Sequence, residues 1–183
     1  MPKLEPVPIR STRMTQSRLM LPTDANIHGN VHGGVIVKYI DEMGGTITAR
    51  HARRNTVTAS IDRMHFYKPA YIGNLLIFKG AINYVGKKSM EVGVKVFAED
   101  LRTGKVTHTG SCYLTFVALD EKGRTVPVAP VFPESDEEHH WHEGAKYRRQ
   151  RRLEDRERRL ESHVAAERHA RVEADPKSET TAQ

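Results

Sequence analysis

The residues best placed to do chemistry form one run, Asn26-Ile27-His28-Gly29-Asn30-Val31-His32-Gly33-Gly34, followed by Val35 to Glu42. The run reads as a loop whose glycines let a ligand approach the backbone closely. A helix starting at Gly33 offers unpaired N–H groups and the positive end of its dipole, which together suit a negative oxygen. Asp41 adds a carboxylate further along the same helix. At 1.5 Å per residue it stands about 12 Å from Gly33 along the axis.

The elements that position these groups follow from periodicity. Val35, Ile36, Tyr39, Ile40, Met43 and Ile47 fall at helical spacing and predict one helix from Gly33 to about Arg53. Gly44 and Gly45 inside it cost about 1 kcal/mol each relative to alanine. They make sense if another backbone packs close, either a wrapped sheet or a partner helix. Ser17 to Leu21 predicts a first strand. Thr56 to Phe66, Leu75 to Tyr84, and Lys105 to Leu119 predict three more. Met90, Val92, Val94 and Val96 alternate with Glu91, Gly93 and Lys95 as in a half-buried strand. One long helix followed by hairpin-spaced strands predicts an α+β fold, an antiparallel sheet of about five strands on a single helix. Residues 1–13 read as a disordered N-terminus and 14–133 as the domain, ended by Pro127, Pro130 and Pro133. Residues 134–174 read as a charged helical extension with a thin stripe of Leu153, Leu160 and Val164, and 175–183 as a disordered tail.

Composition narrows the class. The 183 residues suit one domain plus an extension. No apolar run is long enough to span a membrane, and Met1 to Arg10 has no apolar signal core, so secretion is not expected. Cys112, the only cysteine, reads as a buried strand residue; an intrachain disulfide is impossible, and a cytoplasmic location fits. The formal charge is +6, yet residues 134–183 hold 11 basic and 13 acidic groups, so the domain carries the positive charge. A basic surface suits a polyanion or a phosphorylated small molecule. His139-His140-Trp141-His142 has the look of a metal site, but no second ligand cluster supports it, and no metal is expected. Lys146 to Arg159 holds 8 basic and 3 interleaved acidic residues without stacking aromatics. It reads as a charged oligomer-packing helix rather than a nucleic-acid surface.

An ordered set of motifs carries a resemblance. It comprises Asn26-x-x-Gly29-x-x-His32-Gly33-Gly34, Ile40-Asp41-Glu42 with Gly44, and Ala49-Arg50-His51. Downstream it continues with Phe66 to Pro69, Ile72-Gly73, Lys88 to Val92, and Phe116 to Asp120 closing on Pro127. Over about residues 15–130 the chain resembles the hotdog-fold acyl-CoA thioesterases, specifically the short bacterial acyl-CoA hydrolases and the brain-type cytosolic enzyme with two fused repeats. The resemblance implies a central helix wrapped by an antiparallel sheet and a homodimer whose two sheets are continuous. It further implies a hexamer built as a trimer of dimers. The implied reaction is hydrolysis of fatty acyl-CoA to free acid and CoA, with no cofactor, since CoA is part of the substrate. No nucleic-acid or membrane partner is expected. The alternative is a hotdog module that binds acyl-CoA without catalysis.

The residues suit that chemistry. Thioester hydrolysis needs water, a base or positioning acceptor, and stabilisation of an oxyanion. Asp41 can take a proton from water or attack the carbonyl directly. Asn26 can orient water or the carbonyl, with Asn30 as its rival. His32, Gly33 and Gly34 are the oxyanion and positioning candidates, and His32 also reads as a structural hydrogen-bonding residue. Ser89 matches a family position near the substrate, and Arg63, Lys68, Lys87 and Lys88 are candidates for the CoA phosphates. Thr58 and Ser60 either face the acyl pocket or fill the sheet, and Glu42 reads as an exposed or ion-paired neighbour. A carboxylate side chain cannot bridge about 12 Å of helix. If Gly33 and Asp41 act on one thioester, Asp41 must come from the other subunit.

Overall fold

A computed structural model describes the backbone of residues 4–174, and their side chains except at 160 and 163–174. The expected disorder of residues 1–3 and 175–183 concerns positions outside the described residues. The chain divides into two compact units, Met1–His142 and Glu143–Gln183.

The first unit holds helix α1 (Gly33–Ala52) and strands β1 (Val7–Pro8), β2 (Met14–Leu19), β3 (Thr56–Phe66), β4 (Asn74–Val85), β5 (Ser89–Asp100), β6 (Lys105–Leu119), β7 (Thr125–Val126) and β8 (Val131–Phe132). The main sheet runs β2-β4-β5-β6-β3, all antiparallel, with β7 added to part of β6. The α+β fold expected from periodicity is therefore present. One connection differs from the hairpin reading. β3 pairs with β6 and not with the next strand, because residues 67–73, which include Pro69, form a link too long for a hairpin turn, and β2 occupies the free edge of β4.

α1 is the sheet's filling. Ile36, Ile40, Met43, Gly44, Ile47 and Thr48 are its buried face, packed with Leu76, Phe78, Val92, Val94, Leu114 and Phe116 into one core. Gly44 is required by a ring and not, as expected, by another backbone. A Cβ there would lie 2.7 Å from two ring carbons of Phe116. Gly45 has no such constraint, its nearest Phe116 atom being 3.9 Å from a would-be Cβ. Nor is β5 simply half-buried. Glu91 is buried, with Asn83 Nδ2 3.5 Å from its Oε1.

The N-terminus corrects the expectation of disorder over 1–13. β1 pairs in parallel with β8, and a 3-10 turn follows at Ile9–Thr12. Ile9 is fully buried. Thr12 Oγ1 donates to the Ile9 carbonyl at 2.8 Å and accepts from Ile82 N–H at 3.0 Å. One apolar anchor and a satisfied hydroxyl hold a segment whose prolines and arginines give no periodic signal. The first unit also extends past residue 133, into the start of helix α2 (Asp136–Ala174). Glu138, 1% exposed, bonds Arg13 at 2.8 Å and accepts from Glu134 N–H at 2.9 Å. His142 is anchored too, with Nδ1 2.9 Å from the Asn83 carbonyl. The second unit continues α2, with local pairs such as Lys146–Glu143 and Arg158–Asp155.

Candidate active site

The loop before α1 is a closed turn built by Asn26. Its N–H donates to the Asn30 carbonyl at 2.7 Å, and its own carbonyl accepts from Gly29 N–H at 3.1 Å. Gly29 has φ 79°, a left-handed conformation that glycine adopts without strain. Asn26 Oδ1 accepts from the backbone N–H groups of His28 (2.8 Å) and Asn30 (3.2 Å). These two donors fix the orientation of the carboxamide. They occupy its oxygen, and its NH2 is a donor of the kind suited to a carbonyl oxygen. Asn30 contributes its backbone N–H and carbonyl to this turn.

At the helix start His32 is the N-cap, with φ −64° and ψ 127°. Its Nδ1 accepts from Gly34 N–H at 2.9 Å. The imidazole folds back so closely that a Cβ at Gly34 would stand 3.0 Å from Nδ1. Phe66 covers the other glycine, its ring 3.2 Å from a would-be Cβ on Gly33. Val35 and Ile36 direct their N–H groups to the His32 carbonyl. The expected pair of oxyanion donors therefore narrows to one. Gly34 N–H is committed to His32, while Gly33 N–H has no acceptor among the described residues.

Asp41 is held from outside the helix. Thr58 Oγ1 on β3 donates to Asp41 Oδ1 at 2.6 Å. Asp41 Oδ2 has no partner among the described residues. β3 is irregular at this place, with register breaks after Thr58 and after Ile61. Such bulges re-aim side chains beside functional sites. A second carboxylate follows on the same strand. Asp62 accepts from Ser60 Oγ at 2.6 Å and from Thr115 Oγ1 at 3.4 Å. Cys112, 1% exposed, lies near both acids. Burial, with Asp62 and then Asp41 adding to it, pushes its thiol up to about 12. The thiol stays protonated at neutral pH and is no nucleophile.

Within one protomer no hydrogen bond joins the Asn26 turn to Asp41, and α1 is unbroken between them. The axial separation of about 12 Å therefore stands. Ser89 opens β5 in register with Val117, two strands from β3. Strand alternation sends its side chain to the face opposite buried Met90, so a single protomer does not bring it to Asp41. Arg63 lies on β3 opposite Tyr113, Lys68 follows β3, and Lys87 and Lys88 cap the β4–β5 turn. All four are exposed. Glu42 pairs with Lys38 at 3.9 Å, as an exposed neighbour does. Thr58 is the residue whose role sequence patterns left open; a hydroxyl paired across helix and strand leaves no local signal.

Comparison with known proteins fits this geometry. Residues 28–105 match the thioesterase superfamily model. YkhA of Bacillus subtilis, an uncharacterized acyl-CoA thioester hydrolase, is 40% identical over 129 residues, 70% of this chain and 75% of its own. A hexameric acyl-CoA thioesterase solved in its apo form superposes with TM-score 0.80 at 38% identity, covering 82% of this chain and 97% of that one. This chain belongs to the hotdog-fold acyl-CoA thioesterases. The thioesterase also resembles the Staphylococcus aureus acyl-CoA hydrolase, solved with butyryl-CoA, CoA and CoA disulfide (34% identity, TM-score 0.77, 88% of this chain and 97% of that one). That hydrolase has also been solved with single alanine substitutions of an aspartate, an asparagine and a threonine. The human cytosolic acyl-CoA thioester hydrolase is 35% identical over 136 residues, 73% of this chain and 36% of its own length.

Proposed function

We propose that the protein hydrolyses acyl-CoA thioesters to a free acid and CoA, at sites shared between two subunits. The observation that carries this reading is the Thr58–Asp41 bond, which fixes one carboxylate oxygen and leaves the other open to water. The three positions substituted in the S. aureus hydrolase are spaced as Asn26, Asp41 and Thr58 are here. In the reaction, Gly33 N–H and the Asn26 NH2 hold the thioester oxygen as negative charge develops on it. Water adds to the carbonyl carbon and gives a proton to Asp41 Oδ2. The C–S bond then breaks and CoA leaves as the thiolate, which takes up the proton. Thr58 fixes the carboxylate while leaving its second oxygen available. The scheme draws on no cofactor. If Asp41 attacked the carbonyl itself, an Asp41–acyl anhydride would form, and its opening by 18O water at the Asp41 carbonyl in a single turnover would label the Asp41 side chain; base catalysis labels only the acid product.

Because Gly33 and Asp41 of one chain are too far apart, a facing α1 from a partner completes each site. The exposed edge of β3, with Val57, Ile61 and Phe66 each at least 40% exposed, suits pairing with a second copy. A hexamer, as in the solved apo relative, fits further assembly of such dimers. No described helix is long and apolar enough to cross a membrane, and a cytosolic relative supports a cytoplasmic site of action. The test is thiol release from palmitoyl-CoA and shorter acyl-CoAs. Wild type releases CoA and Asp41→Ala does not. Tight acyl-CoA binding by wild type without release would identify a binding module instead.

A further inference from the structure

At the far end of α1 from the glycine turn lies a cavity of about 280 Å³. It is lined by Arg50, His51 and Arg53, with Ser11 of the N-terminal turn and Ile47 behind them. No carboxylate lines it. Neither Arg50 nor Arg53 has an acidic partner among the described residues. His51 donates from Nε2 to the Ala129 carbonyl at 2.7 Å, which fixes its ring at the cavity wall. We infer that this cavity binds a small phosphate-bearing anion, at a site separate from the hydrolytic one.

Two observations carry the assignment beyond ordinary surface charge. Cations at a helix C-terminus complement the dipole, and one or two exposed arginines there need no other reason. That explanation requires neither a cavity nor the conformation of Arg53. Arg53 is the C-cap, at φ 51° and ψ 35°, and is the one non-glycine residue with positive φ among the described residues. Glycine is the usual residue at such a cap. An arginine held there despite the strain keeps a guanidinium at the cavity wall. Arginine forks match phosphate oxygens in pairs, and two of them flank one small space. The volume suits an inorganic phosphate or pyrophosphate, or the phosphate end of a larger ligand lying across the opening.

The test titrates inorganic pyrophosphate into the full chain by calorimetry, with Asp41→Ala protein as a second host. Saturable binding is expected in both. Arg53→Gly relieves the left-handed strain, so it folds at least as well as wild type and retains thioester hydrolysis. Its pyrophosphate dissociation constant should rise about tenfold or more, the loss of one charge-assisted pair. Arg50→Ala should act likewise. Displacement of pyrophosphate by CoA would make the cavity part of the substrate's own site and overturn its separateness; no displacement is expected and supports a separate phosphate. Absence of saturable binding, or equal binding by Arg53→Gly, would overturn it.

Discussion

Asp41 engages Thr58 through one oxygen and keeps the other for the reaction. Asp41→Ala should lower kcat about 10³-fold, the usual scale for a lost acid–base group. Thr58→Ala should cost about 10- to 100-fold, the scale of one charge-assisted hydrogen bond, while Thr58→Ser restores most activity. Steady-state kinetics with one acyl-CoA measures both. Cys112 gives a test independent of catalysis. With its thiol pushed up to about 12 by burial and two nearby carboxylates, it should resist iodoacetamide in the folded protein and react on unfolding. The linkage has a definite sign. Below the unfolded thiol's ordinary pKa, both states hold the proton and Cys112 adds no pH dependence. Above it the unfolded chain loses the proton first, so stability should fall as pH rises toward about 12, as urea titrations can measure. At this scale Asn26, Asp41 and the glycines stood out as candidates, because residue type and close spacing mark them. The structural hydrogen-bonding reading of His32 matches its cap; the role of Thr58 was not legible, since it depends on a hydrogen bond that only the fold creates.

Among the elements, α1 was legible almost to the residue because its apolar stripe and its glycine start agree. What Gly44 meets was not legible. Phe116 comes from β6, and only the wrap of the sheet brings its ring to the helix. Gly44→Ala should destabilise the fold by about 1–3 kcal/mol through overpacking, and Phe116→Leu should recover part of the loss in the double variant. Gly45→Ala, with ordinary contact at 3.9 Å, should be tolerated. Denaturant midpoints separate the two sites. The N-terminal segment escaped the sequence reading because two-residue strands and a single turn have no period to detect. Its anchor is strong all the same. Ile9→Ala should cost about 2–5 kcal/mol, as for other fully buried side chains.

For the whole molecule, the central claim is that each active site takes its turn from one subunit and its carboxylate from another. The hydrophobic pattern predicted a helix long enough to separate these groups, and its observed continuity from Gly33 to Ala52 preserves that separation. Disruption of the β3 edge should therefore remove activity and dimer together, for example with Ile61→Asp, whose exposed position leaves the protomer fold intact. Light scattering and thiol release would fall in parallel. Subunit complementation tests the claim most directly. Asn26→Ala and Asp41→Ala proteins, each inactive alone and each verified as folded, are dissociated, mixed in equal amounts and reassembled. In a mixed dimer one site receives both defects, while the other receives an intact Asn26 turn and an intact Asp41. Random pairing should then restore about a quarter of wild-type activity. If each site were built within a single subunit, every site would carry a defect, and the mixture would stay as inactive as its components.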